Sequence, residues 1–346
     1  MFINSGSSTP TFVFPGDAVS RLLPGQGDFT CCTLGHCVNG REIACDKPKI
    51  HSVLSALIDS KLERLLATGK LLEYRYLTAT RAHFLQGLSD APAEADTRST
   101  DDMTVEKLKK RLKWTDGDAK VGASSGWNLL KYAAIAGEVG AVRALLRGVA
   151  SMSSLQKRQY IDAPLSQEGA KPLLHLHVPV RCTTLILTAC FGKLHHLEEV
   201  LSLLLDAGAD PHAAEGAYGM SAFISAAAFG RLESVKFFFE RYPSAVRLEQ
   251  PARGVGLTPL LYAAFFAPSP SQGPVVRLLL EHGADATYIA STGRTALLCS
   301  ALNDQCDHTV LKELIERTKA AGMSIDLPCV PRTLKWKLIF FVMTRK

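Results

Sequence analysis

The chain has 346 residues, of which 47% are hydrophobic and 21% charged, with a formal net charge of +6, a globular composition long enough for one extended domain and an accessory region. That charge permits acidic partners without demanding nucleic acid. No run approaches the roughly 18 unbroken apolar residues of a membrane span, no basic stretch precedes an apolar core as in a signal peptide, and nine irregularly spaced cysteines suit reduced thiols in a cytoplasmic or nuclear setting.

In chain order, residues 1–47 are rich in Gly, Pro and Cys with short β-prone runs. Within them "FPGDAV", "PGQGDF", Gly35 and "EIA" resemble the opening segment of RNA exosome cap subunits, although helices follow where that family has an RNA-binding barrel. Cys31, Cys32, His36, Cys37 and Cys45 fall in the same stretch. Adjacent cysteines without a Cys-x-x-Cys pair argue against zinc, and small apolar residues of a hairpin are the expected role. Residues 48–89 put Leu54, Ile58, Leu62, Leu65 and Leu66 at helical spacing, which predicts two helices serving as an N-terminal cap or a decayed repeat. Residues 90–125 are a polar linker and then a basic helix, "MTVEKLKKRLKW". Its Val105, Leu108 and Leu112 share one face, and it is expected to lie solvated beside the next domain, with phosphate or acidic-groove binding as the alternative.

Residues 126–327 repeat. In "LTPLLYAAF", Thr258 suits an N-cap and Pro259 the first helical position, and two small alanines follow for close packing on both sides. "GMSAFISAAAFG" and "GRTALLCSALND" place Ser221 and Thr295 in the same role, 37 residues before and after Thr258. "TTLILTACFG" and "GWNLLKYAAIAG" make five units. The pattern resembles the ankyrin repeat at Gly256, Thr258, Pro259, Leu260, Ala263, Ala264, Val276, Leu279, Leu280, Gly283, Ala284 and Asp285. This likeness implies an all-α, ankyrin-type helical solenoid of five helix pairs stacked in one right-handed sense, with hairpins on one side. A short β-rich N-terminal segment and a helical N-terminal region would precede it, and residues 328–346 would form a C-terminal tail.

Three departures from that pattern stand out. The family's His is replaced by Lys131, Ile186, Ile224, Leu261 and Leu298, so apolar packing is expected to substitute for its polar contact. Asn128 and Thr183 lie 55 positions apart against a repeat of roughly 33, which predicts an inserted finger containing His175 and His177. "APSPSQGP" from Ala267 widens the turn inside the fourth unit. No P-loop, His-Glu-x-x-His or Gly-x-Ser-x-Gly signature occurs, so the chain is expected not to be an enzyme and to need no cofactor or metal.

The family resemblance implies a scaffold or adaptor that binds another protein through the concave face and the hairpin tips. An RNA-associated adaptor and a non-catalytic regulatory subunit are the alternatives. By that resemblance the position before the mid-repeat Gly faces the concavity, where Phe191, Phe229 and Phe266 would form an aromatic stripe. Tyr218, Tyr288 and Arg294 on the hairpins would be its polar rim. The competing arrangement, each Phe packed into the core against its neighbour's first helix, stays open at this point.

Overall fold

A computed structural model of the chain describes residues 2–4, 11–13, 37–38, 41–42, 44–85, 88, 104–115, 117–118, 124–170, 181–216, 218–253, 256–268, 271–303 and 306–323. Of the expected β-rich segment, the described part is two short antiparallel pairs: β1 (Phe2–Asn4) with β2 (Thr11–Val13), and β3 (Cys37–Val38) with β4 (Arg41–Glu42). Pairs this short do not make a stable sheet. The β-rich segment is therefore not supported, and its other positions, including Cys31, Cys32 and His36, lie outside the described residues.

Among the described residues the other elements are helices. An N-terminal hairpin joins α1 (Lys47–Ala67) to α2 (Leu71–Leu85), and α3 (Val105–Arg111) follows. The five expected pairs are present. They are α4 (Leu129–Ala136) with α5 (Val139–Gly148), α8 (Thr184–Phe191) with α9 (Leu197–Asp206), and α10 (Ala222–Ala228) with α11 (Leu232–Arg241). The last two are α12 (Pro259–Phe266) with α13 (Gln272–Glu281), and α14 (Ala296–Leu302) with α15 (His308–Ala320). Between the first and second pairs lie α6 (Ser154–Ile161) and α7 (Gln167–Ala170).

The first helix of each pair packs on the first helices of the pairs before and after it, and the second helices form a parallel outer row. Sequence explains the division. Every residue of α4, α8 and α10 is buried, as suits a short apolar helix enclosed on all sides. In the outer row, α5, α9 and α11 bury one stripe only. Ala264 has no exposed surface, and α12 is gripped by α10 and α14. Ala264→Leu is expected to overpack this contact and lower stability by about 1–3 kcal/mol, and an unchanged urea denaturation midpoint would refute it.

The helix starts follow the predicted chemistry with one exception. Asn128, Thr183, Ser221 and Thr295 accept a side-chain bond from the backbone N–H three residues on, at 3.0, 3.3, 3.4 and 3.2 Å. Thr258 adopts the extended N-cap backbone, with Pro259 at the first helical position, yet its buried hydroxyl has no hydrogen-bond partner among the described residues. Thr295→Val is accordingly expected to cost about 1 kcal/mol in thermal denaturation, whereas Thr258→Val leaves stability unchanged or raises it slightly.

The helix ends are tied across units. Arg231 donates to Gly192 O (2.7 Å), Ser234 Oγ to Ala189 O (2.7 Å), and Asn303 Nδ2 to Ala267 O (2.9 Å). Each bond satisfies a carbonyl that its own helix leaves without a partner.

Two regions outside the regular pairs depart from expectation. The basic helix α3 is docked, with Leu108 and Leu112 fully buried. It packs on α5 while α2 packs on α4, so α2 and α3 together form an irregular layer over the first pair. Arg75 of α2, 6% exposed, pins that layer. Its Nε donates to Leu112 O (2.9 Å), its Nη2 to Lys113 O (2.8 Å), and both terminal nitrogens to the Asp118 carboxylate (3.0 and 2.9 Å). The guanidinium also lies 4.9 Å from the centre of the Trp114 ring.

The insert is likewise no free finger. Ile161, Leu165 and Ala170 are buried, Asn128 Nδ2 donates to Tyr160 O (3.0 Å), and Thr184 Oγ1 to Ile161 O (2.7 Å). Arg158 reaches Asp210 at 3.1 Å, and the Asp210 N–H donates to Asp162. Lys131, with no exposed surface, donates from Nζ to Ala163 O at 2.7 Å. In this unit a polar contact to the insert, rather than apolar packing alone, occupies the family's His position. His175 and His177 lie outside the described residues, as does everything after residue 323.

Candidate functional site

Aromatic rings run along the inner helices. Trp127 stacks on Tyr132 (4.6 Å), Tyr76 of α2 meets Trp127 (6.0 Å) and Phe191 (6.3 Å), and Phe191 meets Phe229 edge-on (5.3 Å). Phe191 is 8% exposed and belongs to the hydrophobic core. Phe229 is partly buried against the same core. The first position of the proposed stripe is thus covered, and the cover comes from the N-terminal layer. Nothing in the repeat pattern points to Tyr76, which lies outside the repeats.

Phe266 differs. It is 48% exposed, and Tyr218, 40% exposed, stands 6.4 Å away. Tyr262 stacks beneath Phe266 at 5.9 Å, its hydroxyl donating to Tyr218 O (3.4 Å). Phe265 meets Phe266 edge-on at 4.6 Å, and the Arg294 guanidinium lies 5.0 Å from the Phe265 ring centre. The result is a continuous run, Tyr218, Phe266, Phe265 and Arg294, fed by the hairpins before α10 and α14 and by the end of α12. Tyr288 is half-buried against the core, and its neighbour Ile289, absent from the sequence-derived rim, is the more exposed of the two.

Local chemistry holds this run in place. Glu215 is buried and its carboxylate accepts from the N–H groups of Tyr218 (2.5 Å) and Met220 (3.2 Å), closing the turn that carries Tyr218. Gly219 in that turn has φ +70°, a conformation glycine adopts without Cβ strain. The end of α12 is fixed by Gln272 Nε2 and Asn303 Nδ2, which donate to Ala264 O (2.6 and 3.3 Å). The widened turn after Ala267 is what puts Gln272 there.

Residues 186–239, the second and third pairs, match the family model described as ankyrin repeats (many copies), and residues 255–290, the fourth pair, match the model of the ankyrin repeat. The chain carries ankyrin repeats. No curated protein sequence matches it. Ankyrin repeats are general protein–protein interaction modules, and the exposed aromatic run lies across the matched stretches, with Arg294 just beyond them. The comparisons lend no support to the exosome-cap likeness of residues 12–45. The first and fifth pairs lie outside the matched residues but pack as the ankyrin pairs between them do.

No helix among the described residues is long and apolar enough to cross a membrane, and no group of three metal-ligating side chains gathers among them. A cleft of about 1010 Å3 opens between the first pair and the insert, lined by Trp114, Asn128, Tyr160, Pro164 and Arg181 among others. Within its lining, Asn128 bonds Lys131 N and Tyr160 O, and Trp127 Nε1 donates to Gly169 O (2.8 Å). Ser124, Gln159, Ser166 and Gln167 also line it.

Proposed function

We propose that the chain is a protein–protein interaction scaffold or adaptor, an ankyrin-type solenoid of five units that works without chemistry of its own. The observation that carries this reading is the exposed pair Tyr218 and Phe266, held on rigidly packed repeats by Glu215, Tyr262, Gln272 and Asn303. Large aromatic side chains left wet on an ordered surface are the groups that most often dominate binding between proteins. A reducing cytoplasm or nucleus suits the free thiols Cys190, Cys299 and Cys306.

The test compares two phenylalanines. Phe266→Ala is expected to leave the melting temperature nearly unchanged and to weaken a partner captured from native cell extract by about 1 kcal/mol or more. Phe229→Ala, which removes a ring packed on Phe191, is expected to cost about 2–3 kcal/mol of stability. A partner held equally well by wild type and Phe266→Ala would sink the proposed face.

A further inference from the structure

We infer that the aromatic run takes an acidic, apolar-bearing peptide segment of another protein, with a carboxylate on Arg294 and an apolar side chain packed over Tyr218 and Phe266. The inference rests on the binding face proposed above and adds the chemistry of its partner.

The charge arrangement carries it. Arg294 is half-buried and lies against Phe265, and a guanidinium held over a ring keeps its planar edge of N–H donors for a carboxylate. No carboxylate pairs with it among the described residues, and exposed Arg253, on the hairpin between those of Tyr218 and Arg294, has none either. The acids of the same hairpins are engaged elsewhere. Glu215 accepts from Tyr218 and Met220, Glu249 from the Asp285 N–H (2.9 Å), and Asp285 from the N–H and hydroxyl of Thr287 (2.7 and 2.6 Å).

The face therefore joins apolar rings to two guanidinium groups that no carboxylate pairs with among the described residues. Arg294 and Arg253 favour a partner whose register sets a carboxylate opposite them. A neutral or basic segment would leave Arg294 desolvated and unpaired, which costs more than a rim contact returns.

The experiment is selection of a random 12-residue peptide display library on the full chain, followed by affinity measurement of the enriched peptides. Peptides joining Asp or Glu to Leu, Phe or Trp are expected. Their affinity should fall about tenfold or more on Arg294→Glu and on Phe266→Ala, and decline with added salt. Thermal melting verifies that each variant folds, with Arg294→Gln as the milder replacement should charge reversal prevent folding. Enriched peptides that need Phe266 but carry no acid and ignore Arg294 would overturn the inference while leaving the binding face standing. No enrichment, or peptides indifferent to both residues, would overturn face and inference together. Displacement of the peptides by poly(U) RNA at physiological salt would show a phosphate-binding face instead and would equally overturn it.

Discussion

Replacing Arg75 with methionine is expected to lower stability by about 3–5 kcal/mol, the cost of breaking a buried ion pair by removing one partner. Arg75 is buried, and its removal leaves the carbonyls of Leu112 and Lys113 and both oxygens of Asp118 without their donors. The Asp118 carboxyl shows the strength of the pair from the other side. Burial alone would raise its pKa, yet hydrogen bonds from Arg75 and Thr115, with the guanidinium's charge, hold it below the ordinary value of 3.8. Asp118 therefore contributes stability that is present above its unfolded pKa and is lost as pH falls through the lower folded one. Urea denaturation followed by the fluorescence of Trp114 and Trp127 reads the effect where it arises, because Trp114 lies under Arg75 and Trp127 under Tyr76. A loss below about 1 kcal/mol would show that apolar burial of Leu108 and Leu112 suffices to hold α3.

Lys131→Met is expected to do the opposite at neutral pH, raising stability by about 2 kcal/mol, the excess of the charge-burial cost over one lost hydrogen bond. Burial pulls the Lys131 amine down from 10.5 to about 7, against the smaller opposing pulls of Asp162 and Cys182. The sign follows from proton counting. Between the folded value near 7 and the unfolded value near 10.5 the unfolded chain binds the extra proton, so stability rises with pH across that window. Buried thiols bound the clean part of the range. Burial pushes Cys190 and Cys299 up to about 12, so above about pH 9 their ionisation in the unfolded chain works against folding. From about pH 7 to 8.5 the wild type should gain about 1.5 kcal/mol relative to the Met variant, the thiols acting equally on both. Parallel pH profiles for the two proteins would remove Lys131 as the source.

The repeats were legible because their signals are local. A cap residue, an apolar run with small residues and a closing Gly recur at fixed spacing, and the cap bonds form at four of the five starts. Arg75 gave no such sign. Its helix has no strongly one-sided pattern, and its partners lie about 40 residues further on, so only the tertiary fold brings them together. Lys131 was visible as a departure from the family's His, but which carbonyl a long amine reaches depends on how an irregular insert folds back. The proposed stripe mixed both kinds of information. The repeat register placed three phenylalanines in series, while the cover over Phe191 comes from Tyr76, outside the repeats.

The docked insert makes the array mechanically unequal along its length. Between the first and second pairs, helix packing is reinforced by a strap whose bonds run from Asn128 and Lys131 on one side to Thr184 and Asp210 on the other. The later junctions have no such strap among the described residues and rest on closely packed inner helices and on side-chain ties such as Ser234 to Ala189 O, Asn303 to Ala267 O and Gln272 to the Asp307 N–H. The array is therefore held by different means along its length, by the strap at the first junction and by inner-helix packing with side-chain ties at the later ones. Tyr218, Phe266 and Arg294 are carried by three successive units of the part without the strap, so the stacking of those units sets their spacing directly. The span of the proposed face is thus set by helix packing and side-chain ties at two junctions rather than by the insert.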